Sequence, residues 1–387
     1  MVNAPKYPGQ AKIRVAVLYG GRSGEHEISL LSAASVLRNL DQERFEIIPV
    51  AIDKQGRWLL NDLSLIEQST SSKSLPVFKD SPPVILPPYP AKGDTSLMIF
   101  GSAASRQDPT IDVVFPVMHG PMCEDGTIQG LLELADVAFV GCGVLASAVA
   151  MDKDVAKRIA RDAGLPIVPF VAVKKEVWKR DPEASQQQVE KQLGYPVFVK
   201  PSNMGSSVGV HKVKSASEFQ SAMKDAFQYD TKVLIEKAIS AREIEVSILE
   251  NSEAGGLPLV SIAGEINPNH EFYSYEAKYL DADGADLLIP AKITSDQLKE
   301  AQRIGREIFM ALECEGMARV DMFLDKESGA FYLNEVNTIP GFTQISMYPK
   351  LWEASGVSYP DLLSRLIYLA LDRHRRKREL KREFHSS

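Results

Sequence analysis

Arg319 and Asp321 stand two residues apart in one apolar run, and Glu335 and Asn337 stand two apart in the next. Side chains two apart on a strand share a face. Between the runs, Asp325-Lys326-Glu327-Ser328-Gly329 has the composition of a turn. A hairpin centred near Ser328 sets Asp321 opposite Glu335 and Arg319 opposite Asn337. One face then carries two carboxylates, an amide oxygen and a guanidinium. Hard oxygen donors suit magnesium, which takes few protein ligands and completes its shell with phosphate and water. A guanidinium suits developing phosphate or oxyanion charge. The alternative is a solvent-facing ladder of salt bridges. Val320, Met322, Phe331 and Leu333 fill the opposite face, and the exit Val336-Asn-Thr-Ile-Pro-Gly341 sets a rigid turn and a glycine beside the acids. Both features favour a metal site.

Two other stretches have chemical potential. In Phe198-Val-Lys-Pro-Ser-Asn-Met-Gly-Ser-Ser-Val-Gly209 a strand ends in Lys200 and a loop of small residues follows, with a new strand predicted from Val208. Backbone N–H groups of such a loop can wrap a phosphate, with Lys200 as a point charge. It lacks the Gly-Lys-Ser/Thr and the helix of a P-loop, and taken alone it reads equally well as an ordinary hairpin turn. Gly20-Gly-Arg-Ser-Gly-Glu-His-Glu27 follows the first strand, where α/β sheets bind ligands. Glu25 there can hold an ammonium group, or simply be an acid at a helix start. Gly141-Cys-Gly-Val-Leu-Ala146 fits the GxGxxA pattern. A dinucleotide site also needs an acid about 20 residues on, at the end of a strand. The chain instead runs into a predicted helix over 151–163.

The elements that must position these groups alternate. Strands are predicted over 14–19, 45–52, 112–117 and 137–140, with helices over 25–39 and 127–135, a doubly wound α/β pattern. Residues 61–110 carry little periodicity and read as loops with a hairpin. A helix over 152–163 stops at Gly164, with Pro166 just beyond. Strands at 169–173, 196–200, 208–213 and 233–237, with helices near 183–192 and 215–228, make a small α+β unit. Strands at 243–249, 259–266, 317–324 and 330–336 follow, interrupted by a helix at 295–312. Ser358, Pro360 and Asp361 open a last helix over 358–371. Its extension, Asp372-Arg-His-Arg-Arg-Lys-Arg-Glu-Leu-Lys-Arg-Glu383, reads either as a patch for an anionic partner or as a solvated helix end, the second preferred.

A chain of 387 residues accommodates two or three domains. A net charge of −7 argues against nucleic-acid or membrane binding through bulk electrostatics. Cys123, Cys142 and Cys314 have neither CxxC nor zinc-ligand spacing. A sparse, odd set of cysteines and a polar N-terminal segment point to a cytoplasmic protein.

Taken together, the motifs resemble the D-alanine–D-alanine ligase family of the ATP-grasp superfamily from about Ile13 to Gly356. The resemblance is carried by Gly20 to Glu27, His119-Gly-Pro-Met-Cys-Glu-Asp-Gly-Thr-Ile-Gln-Gly130, Met151-Asp-Lys153, Lys200 to Gly209, Glu276-Ala-Lys-Tyr279, Arg319 to Asp321, and Asn334-Glu-Val-Asn-Thr-Ile-Pro-Gly341. It departs at Cys123, where the family usually has a glycine or similar small residue, and in the length of 61–110. The resemblance implies a Rossmann-like N-terminal α/β domain (1–150) followed by a two-lobed ATP-grasp fold (151–240 and 241–372), then a basic tail (373–387). It implies ATP-dependent joining of two D-alanines through an acyl phosphate, for peptidoglycan precursors, in a cytoplasmic homodimer.

By the same resemblance, Lys153 and Lys200 grip ATP phosphates, with Ser206, Ser207 and Asn334 nearby. Glu236, Lys237, Ile239 and Glu243 hold adenosine. Asp321, Glu335 and Asn337 hold two Mg2+ ions, with Mn2+ a substitute. Glu25 and His119 form the first D-alanine pocket, while Ser346 and Met347 take the second carboxylate. Ser206 and Tyr279 join Glu25 in a hydrogen-bond network, and Arg319 with the Gly341 N–H stabilises the tetrahedral oxyanion. Lys278 meets phosphate when a lid over 269–287 closes. That segment has three tyrosines and a phenylalanine between Phe272 and Tyr279, which argue that it packs on something and against an ordinary surface loop. Rivals are a ligase using D-lactate or D-serine second, another ATP-grasp ligase, and a non-catalytic nucleotide-binding protein.

Overall fold

The computed structural model describes residues 11–63, 81–89, 95–100, 108–253, 255–268 and 285–381. The first unit contains β1 (Ile13–Gly20), α1 (His26–Asn39), β2 (Phe45–Ile52), β3 (Trp58–Leu60), β4 (Pro83–Ile85), β5 (Thr95–Ser96), β6 (Met98–Ile99), β7 (Thr110–Ile111), β8 (Val113–Val117), α2 (Thr127–Leu134) and β9 (Ala138–Phe139). Seven strands form one sheet in the order β6-β4-β3-β2-β1-β8-β9. Its centre, β2-β1-β8-β9, is parallel, and β3, β4 and β6 extend one edge antiparallel. Val15 to Tyr19 are fully buried, as expected of a central parallel strand covered on both faces. The 61–110 stretch thus holds edge strands, too short to show a sequence period.

Two helices follow, α3 (Val144–Met151) and α4 (Lys153–Asp162). The helix expected over 152–163 is α4, and α3 ahead of it was not anticipated. Asp152 is extended and its carboxylate accepts the Val155 N–H at 3.2 Å, starting α4 as a new helix. The nearly all-apolar composition of α3 hides any helical period. The next unit comprises β10 (Phe170–Lys174), α5 (Lys175–Arg180), α6 (Pro182–Gln192), β11 (Val197–Pro201), β12 (His211–Val213), α7 (Ala216–Tyr229) and β13 (Lys232–Lys237). Its antiparallel sheet has the order β10-β13-β11-β12. The strand expected from Val208 starts at His211, because Ser206, Ser207 and Gly209 all have positive φ and turn the chain first.

The last stretch contains β14 (Ala241–Leu249), β15 (Leu259–Pro268), β16 (Ala285–Leu288), α8 (Ser295–Ala311), β17 (Met317–Asp325), β18 (Phe331–Asn337), α9 (Met347–Ala354) and α10 (Tyr359–Arg378). The sheet order is β16-β15-β14-β17-β18. Thr294 and Gln297 close a capping box at the start of α8. Ile304 and Ile308 of α8 join Val246, Val320 and Leu333 in one core, together with Ala156 and Ala160 of α4. So α4 precedes the four-stranded sheet in sequence but packs on the five-stranded one. α10 returns to the first unit, where Leu362, Leu363, Leu366 and Ile367 share a core with Val15, Val17, Leu37 and Phe115. It runs unbroken through residue 372, and Arg373, expected in a solvated tail, is buried. No helix among the described residues is long and apolar enough to cross a membrane.

Candidate active site

The β17–β18 hairpin has the register expected from its sequence: Arg319 faces Asn337 and Asp321 faces Glu335. Val320, Met322, Phe331 and Leu333 are buried on the opposite face. Burying each such side chain contributes roughly 1.5–3 kcal/mol, so the core face fixes which way the polar face points. There the Arg319 guanidinium donates two parallel bonds to Asp321, both 2.7 Å, and lies 3.0 Å from Glu245 on β14. Burial works against its charge, but Asp321 and Glu245 outweigh that and hold the guanidinium firmly protonated. The Asn337 amide N–H donates to Asp321 at 3.0 Å.

Lys153, first residue of α4, reaches this face. Its ammonium lies 3.0 Å from Glu335 and donates to the Met204 carbonyl at 2.8 Å. It is thereby fixed between the hairpin and the loop after β11. Burial disfavours the ammonium, but Glu335 more than restores it and raises the pKa. Lys200, at the end of β11, is paired with Glu236 of β13 and lies 3.5 Å from the Asn334 amide oxygen. Glu236 is also paired with Lys157 at 2.7 Å. Burial would raise the Glu236 pKa, but the two lysines bring it down to about 2.

The first unit supplies the other wall. Glu25, buried at the start of α1, accepts a hydrogen bond from the Ser206 hydroxyl. An added Cβ at Gly205 would come within 3.1 Å of the same carboxylate, so the small residue allows this approach. Ser206 and Ser207 have φ of 51° and 59°, a conformation uncommon outside glycine. His119 touches Ser32 at 3.0 Å and Glu124 at 3.5 Å. Burial pushes the Glu124 pKa up to about 7, with the Glu25 charge adding to the rise and His119 opposing it. A cleft lined by Glu124, Met151, Lys153, Gly205, Glu335 and Asn337 opens where these elements meet.

Beyond β18, the Ser346 hydroxyl accepts the Thr343 N–H at 3.0 Å, and an added Cβ at Gly341 would lie 2.7 Å from it. Met347 is buried as the first residue of α9. Lys237, Ile239 and Glu243 lie on β13, on β14 and in the turn between them; the Lys237 ammonium donates to the Tyr195 carbonyl at 3.5 Å. Lys278, Tyr279 and most of the expected lid lie outside the described residues. Glu124, Lys157 and Glu245 were not singled out in the sequence. Glu124 sits inside the His119–Gly130 motif, and Glu245 shares a strand face with Glu243. Lys157 follows Lys153 by one helical turn, and that spacing was its only signal.

Among the described residues, no three carboxylate, imidazole or thiol side chains converge as a ready-made metal site. Asp321, Glu335 and the Asn337 amide still offer adjacent hard oxygen donors, the set that fits magnesium shared with phosphate and water. Arg319 and Lys153 now balance those carboxylates.

Comparison with known proteins identifies the family. Residues 14–142 match the family model described as D-ala D-ala ligase N-terminus, and 159–368 match D-ala D-ala ligase C-terminus. The chain is 55% identical to D-alanine--D-alanine ligase A of Bradyrhizobium diazoefficiens, over 97% of this chain and 99% of that protein. The solved D-alanine-D-alanine ligase of Coxiella burnetii superposes with a TM-score of 0.77 at 35% identity, covering 95% of this chain and 96% of that one. The VanG D-Ala:D-Ser ligase of Enterococcus faecalis gives 0.79 at 35% identity, covering 93% and 100%.

Proposed function

The chain belongs to the D-alanine–D-alanine ligase family, and from that premise we propose how its residues join two D-alanines at the expense of ATP. The enzyme is an ATP-dependent ligase that makes D-alanyl-D-alanine for peptidoglycan precursors. One observation carries the residue assignment: the polar face of β17–β18, bearing Arg319, Asp321, Glu335 and Asn337, is met by Lys153 and, across the Gly205–Ser206 turn, by Glu25.

A carboxylate does not react with an amine until it is activated. The γ-phosphoryl group of ATP passes to a carboxylate oxygen of the first D-alanine and ADP leaves. The amine of the second D-alanine then attacks that carbonyl and phosphate departs. Glu25 takes the ammonium of the first D-alanine, with His119 beside it. Lys153 and Lys200 take phosphate oxygens as point charges. Glu236, Lys237, Ile239 and Glu243 hold the adenosine, with Ser207 and Asn334 at the phosphate end. Asp321, Glu335 and Asn337 would hold the two magnesium ions, which supply charge neutralisation on the phosphates. Arg319 and the Gly341 N–H face the oxyanion that develops when the amine attacks. Ser346 and Met347 receive the second carboxylate. Lys278 and Tyr279 belong to a closing segment that keeps water from the acyl phosphate. The division into units 1–150, 151–240 and 241–372, the cytoplasmic location, the homodimer and the absence of nucleic-acid or membrane partners belong to the same proposal.

The test is phosphate release from Mg-ATP with D-alanine, with L-alanine, and with D-alanine plus D-lactate or D-serine, the products identified by mass spectrometry. Release that requires D-alanine and yields the dipeptide supports the proposal. Depsipeptide or D-Ala-D-Ser as main product moves the enzyme to another branch of the family. Absence of amino-acid-dependent release overturns it.

A further inference from the structure

Lys157 lies outside the machinery described above, yet it is one of the most deeply buried charged side chains of the molecule, at 1% exposure. An apolar helix face should exclude a lysine, and its neighbours on that face are Ala156 and Ala160. Its ammonium is 2.7 Å from Glu236 and donates to the Leu333 carbonyl at 2.9 Å. Leu333 immediately precedes Asn334 and Glu335 on β18. Glu236 in turn pairs with Lys200, the more open of the two lysines, flanked by the Phe198 and Phe323 rings at 6.0 and 5.8 Å. Three elements, α4, β13 and β18, are therefore joined by a single ammonium.

The charges of this cluster decide what Lys157 does. Glu236 alone would neutralise Lys200 and hold it back from a phosphate. With Lys157 also paired to Glu236, the buried cluster carries two positive charges against one negative. We propose that Lys157 is a positioning residue for nucleotide phosphates: it satisfies Glu236 from behind, leaving Lys200 free to turn its charge to a polyphosphate in the cleft. The inference rests on the ATP reading above. Lys157 touches no ligand and acts through Glu236 and Lys200. The low Glu236 pKa is the expected mark of a carboxylate shared by two cations.

The test is the affinity of Mg-ADP and of adenosine for wild type, Lys157→Met and Lys157→Gln, measured by calorimetry. Lys157→Gln keeps an N–H donor without the charge and carries the test should the Met variant fail to fold. The expected result is ADP affinity about tenfold lower in both variants, adenosine affinity within about twofold of wild type, and a raised KM for ATP with little change in kcat. Equal loss for ADP and adenosine would mean that Lys157 acts through the adenosine contact of Glu236 or on the structure and not on phosphate, which overturns the proposal, and unchanged ADP affinity would remove the role altogether. Wild type itself separates the two readings. If it binds ADP no better than adenosine, the phosphate site assigned above is wrong. If it prefers ADP and the variants do so equally, only the role of Lys157 falls.

Discussion

Arg319 is a half-buried arginine and Arg373 a buried one, and they are held in opposite ways. Arg373, 5% exposed at the side chain, donates to the Phe139 carbonyl at 2.6 Å and to the Gly141 carbonyl. It also lies 4.5 Å over the Phe139 ring and 3.3 Å from Glu315. Arg319, 20% exposed, is held by the carboxylates of Asp321 and Glu245 at the edge of the cleft. Backbone carbonyls have no other partner to take, so Arg373 is fixed for good. Carboxylates that also suit a metal can exchange partners when cation and phosphate arrive, so Arg319 is held in place yet remains usable. The two glycine-rich turns also differ in what meets them: Arg373 holds the Gly141 carbonyl and Glu315 lies against Gly143, whereas the turn at 202–209 meets Glu25 and Lys153.

Substitution tests this contrast, beginning with the largest effect. Arg319→Ala is expected to lower kcat by about 10²–10³, the cost of losing one oxyanion partner, and to lower stability as well, because it takes the cation from the buried Asp321 and Glu245. A wild-type kcat would end the comparison at its catalytic side. Arg373→Ala should act on stability alone, since it takes their donor from two buried carbonyls. Stability to urea is expected to fall by about 3 kcal/mol while kcat of the folded enzyme holds. Lost activity at full stability would mean that Arg373, too, serves the reaction. Lys153→Ala should raise KM for ATP roughly tenfold and affect kcat less; unchanged ATP affinity would take Lys153 out of the phosphate site.

The smallest effects come from adding one methyl group to each turn. At Gly205 the new Cβ meets Glu25 at 3.1 Å, so Gly205→Ala is expected to lower kcat/KM for D-alanine severalfold. At Gly143 it meets the tip of the Glu315 side chain at 2.9 Å, which can swing aside. Gly143→Ala should therefore change stability by less than about 0.5 kcal/mol and activity not at all. Steady-state kinetics and urea melts on the pair distinguish the two turns, and equal behaviour would erase the difference between them.

The hairpin was legible because chemistry and burial alternate there with the period of a strand; a bulge between Asp321 and Met322, which the sequence did not advertise, shifts the register by one residue between the turn and the functional pairs. The doubly wound start was legible for the same reason: its parallel strands are continuous apolar runs. Other features were obscured by physical ambiguity. The residues of α3 are nearly all apolar, so no face stands out, and the break at Asp152 is a capping event within an otherwise helix-forming stretch. Ser206 and Ser207 adopt left-handed backbone that their residue type does not advertise, which delayed β12 to His211. Lys157 and Arg373 are charged residues on helices, where the ordinary expectation is solvent. Only the opposing strand carbonyls and Glu236 make their burial tolerable, and those partners lie far away in sequence.

The return of α10 to the first sheet has a consequence for how the protein is made. Translation delivers Phe115 some 250 residues before Leu366, a wait of roughly 10–50 s at cellular elongation rates. Through that interval one apolar face of the first-made sheet is covered only in part, by α1. The unit synthesised first is thus the last to be sealed, and a chain broken off before Leu362 would carry an open core on its oldest part.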